Sequence, residues 1–142
     1  MLKRLQEKKE GITQILNALA EESAKGTLIL VEGKKDVEAL RTLGIEGPML
    51  TVKTGGRSFV DIVSELEESK TSRVILLLDF DRRGKEGTKR LQLGLEKAKI
   101  KTDIELWRTL SRLAGKDVQC VEGLVAYIEN LRAKADVSNN SL

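Results

Sequence analysis

Hydrophobic positions along this chain follow two different periods. From residue 1 to about 22, Leu5, Ile12, Ile15, Leu16 and Leu19 fall on one broad helical face, and Lys25-Gly26 ends the pattern. Thr27-Leu28-Ile29-Leu30-Val31 and Val74-Ile75-Leu76-Leu77-Leu78 are instead unbroken apolar runs closed by charge and glycine. Such runs predict strands buried on both faces. Between them, Asp36 opens a helix through Val37, Ala39, Leu40 and Leu43 that Gly44 closes. Met49 to Val52, entered at Pro48, predicts a short strand, and Thr54-Gly55-Gly56-Arg57 a glycine turn. Ser58 to about Lys70 reads as a helix with Phe59, Ile62, Val63 and Leu66 inward.

After the second run, a helix is predicted from about Gly87 to Lys97, carrying Leu91, Leu95 and Ala98. Lys101 to Trp107 alternates as a fourth strand would. Two amphipathic stretches follow, roughly 108–114 and 118–132, the second through Val121, Leu124, Val125, Ile128 and Leu131. Residues 134–142 read as a disordered tail. Three segments result: an N-terminal helix packing on the core (1–25), a main domain with C-terminal helices (26–133) and the tail.

Strands alternating with helices imply right-handed βαβ units and a mainly parallel sheet of about four strands flanked by helices. If the first and third strands lie side by side, the helices after them cover opposite faces, and the crevice between is a topological switch point. Glu32 ends the first strand and Asp79 the third. That order would bring Glu32, Asp79 and Asp81 together.

Candidate chemistry sharpens this picture. The central run stops at Asp79-Phe80-Asp81-Arg82-Arg83-Gly84, so two acids sit just past the carboxyl end of a buried strand, where open α/β sheets bind ligands. Clustered carboxylates beside basic residues suit a magnesium ion meeting a phosphate. The formal net charge is only +3, but eight basic residues between Arg82 and Lys101 face two acids, Glu86 and Glu96. This basic stretch reads either as a phosphate-attracting surface or as a solvated helix face. Arg82, Arg83 and Lys85 are candidates to clamp flanking phosphates, or simple counter-charges for the acids. Gly55-Gly56-Arg57 reads first as a plain turn and second as an anion site. Asp81 could instead cap the following helix, and Asp36 reads as a cap before it reads as a catalyst.

Composition removes other chemistries. The chain has no histidine, so histidine triads and imidazole acid–base work are excluded. Its one cysteine, Cys120, rules out an internal disulfide, fits a reducing cytoplasm and reads as a small core residue. No stretch approaches the length of a membrane span, and the expected setting is cytoplasmic, without membrane contact. Phe59, Phe80, Trp107 and Tyr127 are the only aromatics, so base stacking has few platforms.

A strand ending in Glu32-Gly33 with Asp36 following, and a later strand ending in Asp79-x-Asp81-x-x-Gly84, resembles the toprim domain. That domain is shared by bacterial-type primases, topoisomerases, old-family nucleases and ribonucleases that mature small ribosomal RNA. The resemblance spans roughly residues 26–107 and is closest to small stand-alone toprim proteins of archaea and bacteria. It implies a toprim, Rossmann-like fold, Glu32 as general acid or base, and Asp79 and Asp81 as magnesium ligands with Glu32 joining them directly or through water. Manganese is the expected substitute ion. Topoisomerase activity is not expected, because it also needs a catalytic tyrosine on a separate domain, and Tyr127 lies in a predicted amphipathic helix. Primase activity is not expected without zinc-binding and accessory domains.

The leading expectation is a magnesium-dependent nuclease or RNA-processing enzyme, with RNA preferred over DNA by analogy with compact toprim ribonucleases. The alternative is a non-catalytic module that recruits nucleic acid or a partner protein through its basic stretch. A phosphoacceptor of the response-regulator kind ranks third, since Glu32-Gly33 replaces the paired aspartates such a protein needs. Oligomeric state is left open by the sequence.

Overall fold

The computed structural model describes residues 2–53 and 56–140, with side chains for 3–53 and 56–134. Nine helices and strands succeed one another among them: α1 (Leu2–Ala24), β1 (Leu28–Val31), α2 (Lys34–Thr42), β2 (Met49–Thr51), α3 (Phe59–Glu68), β3 (Arg73–Leu77), α4 (Arg82–Lys97), β4 (Lys101–Asp103) and α5 (Glu105–Ala114). A single 3-10 turn at Val121–Gly123 then leads into α6 (Leu124–Asn140). The strands form one parallel sheet in the order β2-β1-β3-β4. The first and third strands are therefore neighbours, with Val31 opposite Leu77.

The two apolar runs occupy the centre of the sheet because only there are both faces covered. Ile29, Leu30, Val31 and all five residues from Val74 to Leu78 are fully buried. Their side chains alternate between two cores. Ile29, Val31, Ile75 and Leu77 join Ile12, Leu19, Leu40, Leu110 and Leu131 on one face, beneath α1, α2, α5 and α6. Leu30, Val74, Leu76 and Leu78 join Ile62, Leu66, Leu91 and Leu95 on the other, beneath α3 and α4. Each such leucine or isoleucine contributes about 1.5–3 kcal/mol on leaving water, so a one-residue slip of β3 is prohibitive. The helices after β1 and β3 thus lie on opposite faces, which makes the β1–β3 boundary the switch point.

Three boundaries differ from the sequence expectation. Helix α4 starts at Arg82, not near Gly87, because Asp81 is its N-cap and accepts from the Gly84 N–H at 2.8 Å. The fourth strand stops at Asp103 rather than reaching Trp107. There the Asp103 carboxylate accepts from the Glu105 N–H at 2.9 Å, and Trp107, Leu110 and Ala114 become the buried face of α5. At the far end the backbone stays helical to Asn140, where the sequence suggested a tail from residue 134. Of the glycine turn, Thr54 and Gly55 lie outside the described residues.

Candidate metal and phosphate cleft

The segment after β3 is held from three sides. The Trp107 indole N–H donates to the Leu78 carbonyl at 2.8 Å, and the Phe80 N–H donates to the Gln119 carbonyl at 2.7 Å, with the Phe80 ring buried. Gly84 closes the loop. A Cβ there would stand 2.0 Å from the Asp79 carbonyl oxygen, so glycine is required by close approach. Asp79 is left half-buried at the carboxyl end of the sheet, beside the end of β1.

Glu32, Asp79 and Asp81 line one cleft of about 370 Å³, together with Lys53, Arg57 and Arg83. Glu32 is buried and forms an ion pair with the Lys53 ammonium at 3.5 Å. Asp79 Oδ1 is buried without a hydrogen-bond partner, a costly state for a carboxylate oxygen. Burial first, then the negative charges of Glu32, Asp36 and Asp81, push the Asp79 carboxyl up from 3.8 to about 7, against the pull of Lys53. Asp81 faces the same cleft while one of its oxygens caps α4.

The other sequence candidates divide. Arg83 reaches the cleft from the first turn of α4. Arg57 also lines it, but its guanidinium is engaged by Glu65 and donates to the Thr51 carbonyl at 3.0 Å. Arg82 is 92% exposed, pairs with Glu86 at 3.2 Å and is not among the cleft residues. Lys85, exposed on the same helix, is not among them either. Sequence reasoning missed Lys53. Its signal is its position just past β2, because a residue at the carboxyl end of a strand beside β1 opens onto the same crevice.

Asp36 does structural work. Its carboxylate accepts from the Gly33 N–H at 3.0 Å and from the Glu122 N–H at 2.8 Å, tying the start of α2 to the 3-10 turn. Among the described residues, Asp36, Cys120 and Glu122 are the group whose ligand atoms all lie within 4.8 Å of one another. That trio suits a hard cation poorly. Both Asp36 oxygens already serve backbone N–H groups, and burial pushes the Cys120 thiol up, away from the thiolate that binds metal.

The cleft acids fit a hard divalent ion better. All three supply oxygen, one of those oxygens is buried and unpartnered, and magnesium keeps waters that can span carboxylates not drawn tightly together. Glu32, Asp79 and Asp81 are the residues that would hold it.

A parallel sheet with a glutamate ending β1, two aspartates after β3 and helices divided between both faces defines a class. Residues 26–108 match the family described as Toprim domain, and the chain belongs to that family. The family carries metal-dependent nucleic-acid chemistry as its general class. The chain is 33% identical over 126 residues to the UPF0292 protein of Methanosarcina barkeri, covering 88% of this chain and 85% of that protein. It is 33% identical over 118 residues to the UPF0292 protein of Archaeoglobus fulgidus, covering 83% and 90%. Among solved structures, a protein from Aquifex aeolicus superposes with a TM-score of 0.64 at 26% identity, covering 78% of this chain and 94% of that one. Among the described residues no helix is long and apolar enough to cross a membrane.

Proposed function

We propose that this protein is a magnesium-dependent phosphodiesterase acting on nucleic acid, a nuclease or RNA-processing enzyme. The observation that carries the reading is Asp79 Oδ1, buried and unpartnered in a cleft shared with Glu32 and Asp81. A buried acid without a hydrogen-bond donor is stabilised by a cation far more than by water. Bound magnesium would supply Lewis-acid activation of water and neutralise charge on the phosphate. Manganese would substitute, since it accepts the same oxygen ligands.

The chain's own residues have separable tasks in this reading. Asp79 and Asp81 would hold the ion, with Glu32 joining them directly or through water. Glu32 takes a proton from the attacking water, and its ion pair with Lys53 fixes the carboxylate at the cleft. Arg83 and Lys53 neutralise the phosphates beside the scissile one. Arg57 acts by holding the cleft wall through Glu65 and Thr51. RNA is the preferred substrate by analogy with compact toprim ribonucleases.

Cleavage of end-labelled structured RNA, single-stranded DNA and duplex DNA, with magnesium, manganese or chelator, tests the reading. Wild type should yield metal-dependent products that Asp79→Asn and Glu32→Gln lose while remaining folded. Retained cleavage in both variants would contradict the assignment.

One observation favours a second reading, a binding module. Arg82, Lys85 and Lys89 are exposed along α4 outside the acidic cleft. Such a surface would bind nucleic acid in a salt-sensitive way that survives Asp79→Asn and fails when Arg82, Arg83 and Lys89 become glutamine.

A further inference from the structure

Next to the acidic cleft lies a second, apolar groove of about 260 Å³ between α3 and α4. Phe59, Val60 and Val63 form its wall on α3, and Gly94 lines it from α4. One of the two exposed large hydrophobic side chains among the described residues lines this groove. It is Val60, 74% exposed; the other, Leu93, is not among the groove residues. The helices approach closely here: a Cβ on Gly94 would stand 3.3 Å from the Val63 side chain, and one on Gly87 3.3 Å from the Phe59 ring. Phe59 is thereby held in place. The Arg90 guanidinium carbon sits 5.1 Å from the Phe59 ring centroid, so the two make a cation–π pair. Phe59 also lines the acidic cleft, and Gly87 stands beside it there. One side chain separates the two sites.

We propose that this groove is a subsite for an unpaired nucleobase of the strand whose phosphate occupies the acidic cleft. The proposal rests on the phosphodiester reading of that cleft and goes beyond it by specifying a single-stranded substrate. Three features select a base over other occupants. A guanidinium held over a phenyl ring offers the kind of surface on which unpaired bases lie, largely without regard to sequence. Ser64 and Glu67 sit at the groove's polar edge, where a carboxylate can accept from an exocyclic amine. The shared wall at Phe59 makes the groove the immediate neighbour of the cleft. A protein partner fits less well, because seven lining residues with one exposed large apolar side chain fall far short of the about 20–30 residues a side in a stable interface. A base already paired in a duplex could not enter.

The test is a thermodynamic cycle read by fluorescence anisotropy, with calcium replacing magnesium so that a labelled single strand is held. Wild type and Arg90→Gln are each titrated with the intact strand and with strands carrying one abasic residue at successive positions. Arg90 is exposed, so its replacement leaves the fold intact. For wild type, one abasic position should weaken binding by about tenfold, the scale of a lost base–side-chain stack. Arg90→Gln should weaken the intact strand similarly and show little further loss at that position. Equal weakening of every strand, abasic ones included, would mean that Arg90 acts only as a charge and would overturn the subsite. Absence of binding by any strand would overturn both the subsite and the phosphodiester reading of the cleft.

Discussion

Trp107 and Leu78 are 29 residues apart in sequence, yet the Trp107 indole N–H donates to the Leu78 carbonyl at 2.8 Å in a buried contact. That carbonyl belongs to the last residue before Asp79. The bond therefore couples the packing of α5 to the position of the central acid. Trp107→Phe keeps most of the apolar contact and leaves the carbonyl without its donor. Urea unfolding should show a loss of about 1–3 kcal/mol. A variant as stable as wild type would mean that the indole N–H does not hold the strand end.

Gly84 makes a stricter demand. Its missing side chain lets the start of α4 press against the Asp79 carbonyl, where a Cβ would approach to 2.0 Å. The obstacle is backbone, which cannot swing aside as a flexible side chain could. Gly84→Ala should cost about 3 kcal/mol or more by thermal or urea unfolding, at the upper end of overpacking effects. Gly56→Ala, where nothing lies within 4 Å but the backbone has a positive φ of 67°, should cost about 1 kcal/mol. Equal losses at the two positions would contradict the close-approach argument.

The elevated Asp79 carboxyl has a signed consequence for stability. Its pKa rises from 3.8 to about 7 on folding, so between about pH 4 and 7 the folded protein keeps a proton that the unfolded chain has lost. Stability from this group therefore falls as pH rises through that window and is level above it. Asp79 is half-buried and water screens part of the effect, so the expected cost above pH 7 is about 1–2 kcal/mol. Metal-free unfolding of wild type and Asp79→Asn at pH 4.5, 6 and 8 checks this. The difference should grow in the variant's favour from the lowest pH to the highest. A pH-independent difference would contradict it.

How far the sequence revealed the fold depended on burial. The runs at 28–31 and 74–78 were legible because a strand covered on both faces needs no alternation, and only the sheet centre offers that environment. The start of α4 was not, because Gly84 and Gly87 resemble loop signals; both are glycine because Asp79 and Phe59 press against the helix. Ile104 and Leu106 alternate as in a strand, while the helical spacing of Trp107, Leu110 and Ala114 takes hold only once Asp103 turns the chain.

The convergence of Glu32, Asp79 and Asp81 on one cleft was legible from two strand ends and the switch-point rule. Lys53 required knowing that β2 lies beside β1. The engagement of Arg57 with Glu65 and Thr51, and the separation of Arg82 from Arg83 around the first turn of α4, depend on side-chain direction and were not legible at all.

The central claim is that the cleft of Glu32, Asp79 and Asp81 binds a divalent cation, and a magnesium titration of the melting temperature tests it most directly. At pH 8 wild type should melt at progressively higher temperature as magnesium rises, since an ion that binds only the folded state stabilises it by mass action. Asp79→Asn should start higher without metal and gain little from it. An equal magnesium-dependent rise in both proteins, or none in wild type, would contradict the claim.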